Sequence, residues 1–351
     1  MQARNLRSLR TLLDSPKAAG SWLRQLFPSF GCTLLSLGNA LRADQPSCRQ
    51  VVIDEAGQCP AAYAVSALLR AHSALLIGDT HQLEPVVGLS REDERRIQRS
   101  LSLQLPPARL APYQMFDESG NSAQSLADRA VPLRPSLSDH FRCQPAIIAL
   151  SEAWCGYGLT VRTPARSRAA QAPRLSAAAL FQDCPGSQER FAGSWVNRAE
   201  AEQVVAWLSY LLERGIAPAE VGVITPFRSQ SEALARRLAS ARIPLWRARD
   251  EEEPDTGPDL FGTREAAGNG VSVGTVHRFQ GGERSIIVFS STLTRAANLR
   301  FVDERVNLLN VAVSRARDHL LVIGHEATLR MGSHTRLLVS AAARTEGFAV
   351  T

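Results

Sequence analysis

The chain has 351 residues, a hydrophobic fraction of 44% and a formal net charge of +6, which leave room for two globular domains and suit a polyanionic partner. Its six cysteines lie far apart without a CxxC pair, which excludes a zinc site and a secreted disulfide framework. The first residues lack the apolar core of a signal peptide, and no stretch approaches the ~18 apolar residues of a membrane span. We therefore expect a cytoplasmic protein without a membrane partner.

Six short apolar runs, each followed by polar residues, predict parallel strands that are buried on both faces. In chain order they cover residues 51–53, 75–77, 221–224, 271–273, 286–289 and 320–323. Between them, residues 200–214 place Val204, Trp207, Leu208, Leu211 and Leu212 on one face of a predicted helix, which Gly215 ends. This alternation predicts an α/β fold, in which ligands collect at the carboxyl ends of the strands.

Two segments without a clear period divide the chain. Residues 102–135 are rich in proline, serine and aspartate, which is typical of an inter-domain connection, and residues 247–270 indicate a surface loop within the second domain. We therefore expect one domain over residues 1–125 and a second over residues 126–351.

Two polar segments follow the first two predicted strands, 24 residues apart. Asp54 can hold Mg²⁺ through water, and Glu55 can accept a proton from an attacking water. Gln82 is suited to sensing a terminal phosphate. Acidic pairs and polar turns are each common in soluble proteins, so the specificity of the pattern comes from their spacing.

These segments, DEAGQ at 54–58 and GDTHQLEP at 78–85, resemble motifs II and III of superfamily 1 helicases, in the branch that contains the nonsense-mediated-decay and DNA-end-processing helicases. Four later segments resemble further motifs of that family in the same order, namely Leu137–Pro145, Val223–Gln230, Gly274–Glu283 and Asn310–Arg317. The resemblance implies two RecA-like parallel-sheet lobes, the first incomplete at its N-terminus. It also implies an ATP-driven motor that moves along single-stranded DNA or RNA.

The resemblance assigns roles to individual residues, with ATP and Mg²⁺ as cofactors. The implied catalytic residues are Glu55, Gln82, Arg142 and Arg315, the two arginines because a guanidinium binds phosphate oxygens in a fork. The implied nucleotide-binding residues are Asp54, Gln58, Asp79, Gln280, Gly281 and Glu283, with Asp54 also holding Mg²⁺ through water. The implied contacts to nucleic acid are Thr33, Thr225, Thr275 and Ser314. We interpret Asn197 and Glu200 as a helix capping box.

One required element is missing from the sequence. Lys17 is the only lysine, and no GxxxxGK pattern of a phosphate loop precedes motif II. Three explanations remain open: a fragment of a longer gene product, one part of a split motor completed by another chain, or a decayed relative. The last corresponds to an alternative function, a non-catalytic module that binds nucleic acid or a partner. A metabolic phosphate-loop enzyme would not explain the order of the motifs.

Overall fold

The computed structural model describes residues 29–41, 46–86, 88, 90–101, 121–132, 134–164, 175–246, 269–279 and 282–345. These residues form two compact units that divide between Pro135 and Ser136. The domain limits expected from the sequence remain a prediction, and the expected loop at 247–270 lies outside the described residues except for its last two positions.

The described part of the first unit contains two strands and four α-helices. The strands are β1 (Cys48–Ile53) and β2 (Ala71–Leu76), and the helices are α1 (Leu37–Ala40), α2 (Ala61–Leu68), α3 (Arg91–Ser100) and α4 (Ala123–Ala130). β1 and β2 are parallel, with Ile53 opposite Leu76. Helix α4 corrects the expectation of an irregular connection, since part of that segment is helical and begins with a serine capping box.

Only one face of the β1–β2 pair is covered within the described part of the first unit. Ile53, Ala64 and Ala67 form a small core with the start of α4. On the other face, Val52 and Leu75 remain 55% and 46% exposed. The prediction of strands buried on both faces is therefore wrong for β1 and β2, because α2 and α4 contribute small side chains to one face alone.

The second unit is built around a seven-stranded parallel sheet with the order β13-β5-β12-β11-β8-β10-β9. Its strands are β5 (Ala179–Asp183), β8 (Val221–Thr225), β9 (Leu245–Trp246), β10 (Val271–Thr275), β11 (Arg284–Ser290), β12 (Ala316–Gly324) and β13 (Ala343–Arg344). Two smaller pairs accompany it: β3 (Asp139–His140) with β4 (Thr160–Val161), and the hairpin β6 (Gln188–Phe191) with β7 (Ser194–Asn197).

Among its described residues, this unit has seven α-helices, and together they bury the sheet on both faces. They are α5 (Pro145–Cys155), α6 (Arg198–Glu213), α7 (Arg228–Ser240), α8 (Ala296–Asp303), α9 (Val306–Ser314), α10 (Glu326–Leu329) and α11 (Thr335–Ser340). Consecutive residues along β11, from Ile286 to Phe289, are all fully buried. The four later strand predictions are therefore confirmed, and the residues of those runs are buried except Val273, which is half-buried. No helix among the described residues is long and apolar enough to cross a membrane.

Helix α6 confirms the predicted amphipathic segment and ties it to the core. Val204, Trp207, Leu208 and Leu211 are buried against the sheet, whereas Leu212 is only partly buried. Gly215 follows the helix with a φ of +86°, a left-handed conformation that glycine adopts at low cost.

Because all seven strands are parallel, their amino ends lie along one side of the sheet, which we call the amino edge, and their carboxyl ends lie along the opposite side, which we call the carboxyl edge. The amino edge carries the first residues of the strands, such as Arg284 and Ala316, and the carboxyl edge carries the last, such as Thr225, Thr275 and Ser290. These two edges position the site residues of the second unit.

Candidate nucleotide and nucleic-acid sites

The acidic loop directly follows β1. Asp54 and Glu55 are both exposed, and Glu55 has a φ of +54°, an uncommon conformation for a residue other than glycine. The Gln58 side-chain amide donates to Glu55 Oε2 at 2.7 Å, and the Glu55 backbone N–H donates to Asp54 Oδ1 at 2.9 Å. A backbone held in this region costs about 1–3 kcal/mol, and such strain is concentrated at functional sites.

Two glycines pack this loop against the loop that follows β2. The Ala56 backbone N–H donates to the Ile77 carbonyl at 2.9 Å. A Cβ added at Gly57 would lie against the Asp79 carbonyl oxygen, and one added at Gly78 would meet the Gly57 backbone nitrogen. The absence of a side chain at both positions therefore permits motifs II and III to lie side by side.

The second loop holds its own polar groups in place. The Asp79 carboxylate accepts from the His81 backbone N–H at 2.8 Å and from the Gln82 side-chain amide at 3.3 Å. The structure thus brings Asp54, Glu55, Gln58, Asp79 and Gln82 to the carboxyl ends of two adjacent strands, as expected for an α/β fold. Within the described residues, no group of three or more metal-binding side chains forms a complete metal cage.

In the second unit, three segments that are distant in sequence meet at the amino edge of the sheet. Arg142 Nε lies 2.6 Å from Glu283 Oε1. The Arg284 backbone N–H donates to the Arg315 carbonyl at 3.1 Å, and the Cys143 thiol lies 3.5 Å from the Ser314 carbonyl. Arg142, Glu283 and Arg315 therefore form one charged cluster. Glu283 and Arg315 directly precede β11 and β12, and Arg142 follows β3, so these residues lie at the amino ends of strands of the main sheet and not at the carboxyl ends.

The charges of this cluster surround a buried thiol. Burial raises the pKa of Cys143 to about 12; the positive charges of Arg142 and Arg315 act in the opposite direction, and the negative charge of Glu283 adds to the effect of burial. Arg142 is 42% exposed at its side chain, whereas Arg315 is only 4% exposed and its Nε donates to the Val311 carbonyl at 3.3 Å. Gln280 and Gly281 lie outside the described residues.

Within the second unit, the residues expected to contact nucleic acid lie at both ends of the strands. Thr225 is fully buried, and its hydroxyl lies 3.1 Å from the Thr292 hydroxyl, so its side chain is not presented to a strand as expected. Ser314 ends α9 at the amino edge, and its hydroxyl donates to the Val311 carbonyl. Thr275 is half-buried at the carboxyl edge. Thr33 is exposed in the first unit, where its hydroxyl lies 2.8 Å from that of Ser36.

A buried carboxyl group lies beneath the carboxyl edge. Glu200 is fully buried, and its Oε2 accepts from the Ser290 hydroxyl and the Thr292 backbone N–H, each at 2.7 Å. Burial raises the pKa of Glu200 to about 7, although four hydrogen bonds act in the opposite direction. Thr292 has a φ of +71°, so Glu200 holds a loop whose backbone is strained.

Sequence reasoning interpreted Asn197 and Glu200 only as a capping box, and this is half correct. The Asn197 side chain accepts from the Glu200 backbone N–H and caps α6. The return bond is absent, because Gln230 Oε1 accepts from the Asn197 N–H at 2.8 Å. The signal that could have revealed the second role is the run of three hydroxyl residues, Ser290 to Thr292, directly after a buried strand.

Comparison with known proteins finds two matching family profiles and several helicase relatives. A family profile described as an AAA domain matches residues 123–327, more than half of the chain, and a second profile described as an AAA domain matches residues 30–89. The chain is 27% identical over 284 residues to the mouse 5′-3′ DNA helicase ZGRF1, covering 80% of this chain and 13% of that protein. It is 25% identical over 306 residues to the Regulator of nonsense transcripts 1 homolog of Arabidopsis thaliana, covering 85% of this chain and 21% of that protein.

Among solved structures, the arterivirus nonstructural protein 10 helicase has 13% identity and a TM-score of 0.35, covering 80% of this chain and 39% of that one. This structural likeness is too distant to support an inference. The chain spans about a fifth or less of the length of the two relatives above. The matched profile and the motif order together show that the chain belongs to the AAA-domain family of superfamily 1 helicases, in the branch of the nonsense-mediated-decay and DNA-end-processing enzymes.

Proposed function

We propose that the chain forms part of an ATP-driven motor that moves along single-stranded DNA or RNA. The observation that carries this proposal is the cluster at the amino edge of the second unit. Arg142, Glu283 and Arg315 come from three motifs, yet the fold brings them together, with 2.6 Å between Arg142 and Glu283. A purely structural domain has no need to gather two arginines and a carboxylate around one edge.

The first unit supplies the groups that act on water and metal. Glu55 removes the proton of the water that attacks the γ-phosphate, and Gln82 senses that phosphate. Asp54 would hold Mg²⁺ through water. The donor set fits this ion, since Mg²⁺ keeps several waters and binds one or two carboxylates together with substrate phosphates. Asp54 is exposed directly after β1, which agrees with such a site.

The second unit supplies positive charge. Arg142 and Arg315 stabilise the charge that develops on the transferred phosphoryl group, while Glu283 accepts hydrogen bonds from the ribose, as the family resemblance implies. Arg142 Nε lies 2.6 Å from Glu283 Oε1, so the carboxylate lies beside the guanidinium that would contact the phosphate.

The phosphate loop comes, in this proposal, from polypeptide outside these 351 residues. The sequence contains one lysine and no GxxxxGK pattern, yet the motifs that act on the γ-phosphate retain their reactive side chains. The loop would be carried by an upstream segment of the same protein or by a second chain. We call these residues together with that polypeptide the complete motor.

Nucleic-acid affinity distinguishes this function from a non-catalytic binding module. In the complete motor, the affinity for a fluorescent single strand should differ between a non-hydrolysable ATP analogue and ADP, because the two binding sites are coupled. A binding module should instead bind single strands in a salt-dependent manner that no nucleotide changes. Equal affinities with the analogue, with ADP and without nucleotide would contradict the motor.

A further inference from the structure

Three side chains form a column at the carboxyl edge of the second unit. The rings of Phe227 and Phe301 lie 5.5 Å apart at an interplanar angle of 32°. The guanidinium carbon of Arg305 lies 4.3 Å from the centre of the Phe301 ring. We call this column the Arg305 stack. Such distances are typical of a cation that rests on an aromatic face.

The stack is fixed at its inner end and open at its outer end. Phe227 is only 7% exposed, Phe301 is 42% exposed, and Arg305 is an exposed residue. One face of the guanidinium therefore lies on a ring that the core anchors, and the opposite face is open to solvent. The packing holds Arg305 in place without hiding it.

The position of the stack relates it to the strand ends that resemble motifs IV and V. Phe227 follows the end of β8, and its backbone N–H donates to the Thr225 hydroxyl at 3.4 Å. His277 follows the end of β10, and its pKa is lowered first by burial and then by the positive charge of Arg305. The stack therefore lies above the carboxyl ends of two adjacent strands.

The described part of the chain holds no charged partner for Arg305. None of the residues that the structure describes forms an ion pair or a side-chain hydrogen bond with its guanidinium. Arg300, within α8, provides the contrast, because its Nε lies 2.7 Å from Glu304 Oε1. The ordinary explanation for a stacked arginine is that its side chain shields the aromatic ring, here Phe301, from solvent. That explanation does not account for a ring left 42% exposed beside an unpaired cation.

We propose that the Arg305 stack is a platform on which a base of the single-stranded nucleic acid stacks, with the open face of the guanidinium as the contact surface. Arginine planes and aromatic rings serve this role in single-strand binding, and such stacking tolerates any base. This inference rests on the proposed function, since it names a contact of that same motor. It also provides a strand contact at the edge where the Thr225 hydroxyl is buried.

Equilibrium binding of short oligo(dT) and oligo(U) to the full chain tests the platform. Arg305→Ala should weaken binding about ten-fold, in the range measured when one stacked base contact is lost. Arg300→Ala removes the same charge from an equally accessible, ion-paired position and should change affinity less than about two-fold. Arg305→Lys keeps the charge without the planar face and should remain weak. A thermal melt of each variant reports on folding.

An abasic strand of the same length separates stacking from charge. Wild-type and Arg305→Ala should bind that strand alike, because it offers phosphates without bases. Full recovery by Arg305→Lys, an equal loss on the abasic strand, or wild-type affinity of Arg305→Ala would each overturn the platform while leaving the motor intact. A wild-type chain that binds neither oligo(dT) nor oligo(U) would overturn the platform together with nucleic-acid binding by the chain. The DNA and RNA arms show which strand the platform prefers.

Discussion

Replacing Glu200 by glutamine should remove a pH dependence from the stability of the second unit. The folded carboxyl group has a pKa of about 7 against an ordinary value of 4.5, so the folded chain keeps a proton that the unfolded chain has already lost. Stability from this group is therefore present below pH 4.5 and is lost as the pH rises through about 7. Each pH unit in this window lowers the free energy of unfolding by about 1.4 kcal/mol, so the total loss is roughly 3 kcal/mol.

Urea unfolding at several pH values, followed by circular dichroism, measures this effect. The free energy of unfolding of the wild type minus that of Glu200→Gln should fall by about 3 kcal/mol between pH 4.5 and pH 8. The nearby thiol of Cys184 does not interfere, because burial first and then the charge of Glu200 raise its pKa to about 11. The subtraction removes the titration of groups common to both proteins.

Glu202→Gln is the matched control on the same helix. Glu202 is exposed, and its hydrogen bonds from Arg237 lower its pKa. The stability that Glu202 contributes is therefore present at high pH and is lost as the pH falls. The pH dependence of this control has the opposite sign to that of Glu200. A wild-type minus Glu200→Gln difference that stays constant with pH would show that Glu200 is ionised throughout, so that its hydrogen bonds outweigh its burial.

Three further predictions concern the loops, the arginines and the missing phosphate loop. Gly57→Ala places a methyl group against the Asp79 carbonyl and should lower the free energy of unfolding of the first unit by about 1–3 kcal/mol. The control is Gly38→Ala, whose added methyl group meets no atom within 4 Å, so this variant should unfold in urea like the wild type. Arg142→Ala should reduce ATP turnover of the complete motor by about 10³-fold, and unchanged turnover in a coupled phosphate-release assay would refute its role. The purified 351 residues alone should release phosphate from ATP at the background rate, so robust turnover would contradict an external phosphate loop.

The strands were predictable because burial imposes apolar runs that polar residues interrupt. This pattern points to Glu55, which follows the end of β1, and to Gln82, which lies in the loop after β2, and their roles remain predictions. It does not predict where Arg142, Glu283 and Arg315 lie in the fold, because the order of strands in a sheet is not encoded in any one strand. The meeting of these residues at the amino edge depends on β12 and β11 being neighbours.

The local sequence pattern also does not predict which polar residues are buried. The Asn-x-x-Glu spacing correctly predicts that Asn197 caps α6. It does not predict that Gln230 Oε1 accepts the hydrogen bond of the Asn197 backbone N–H. Nor does it predict that the Glu200 carboxyl group accepts hydrogen bonds from Ser290 and Thr292. Those partners are 33 to 92 residues distant from their counterparts in the chain and become neighbours only through the tertiary fold. The same packing buries the Thr225 hydroxyl.

Nucleic-acid-stimulated ATP hydrolysis by the complete motor tests the central claim most directly. The measurement compares the wild type with Glu55→Gln, with and without single-stranded DNA or RNA. The account predicts stimulated turnover in the wild type and a loss of at least about 10²-fold in the variant, as expected when a general base is removed. Equal rates in the two proteins would contradict the assignment of Glu55 and, with it, the proposed catalytic site.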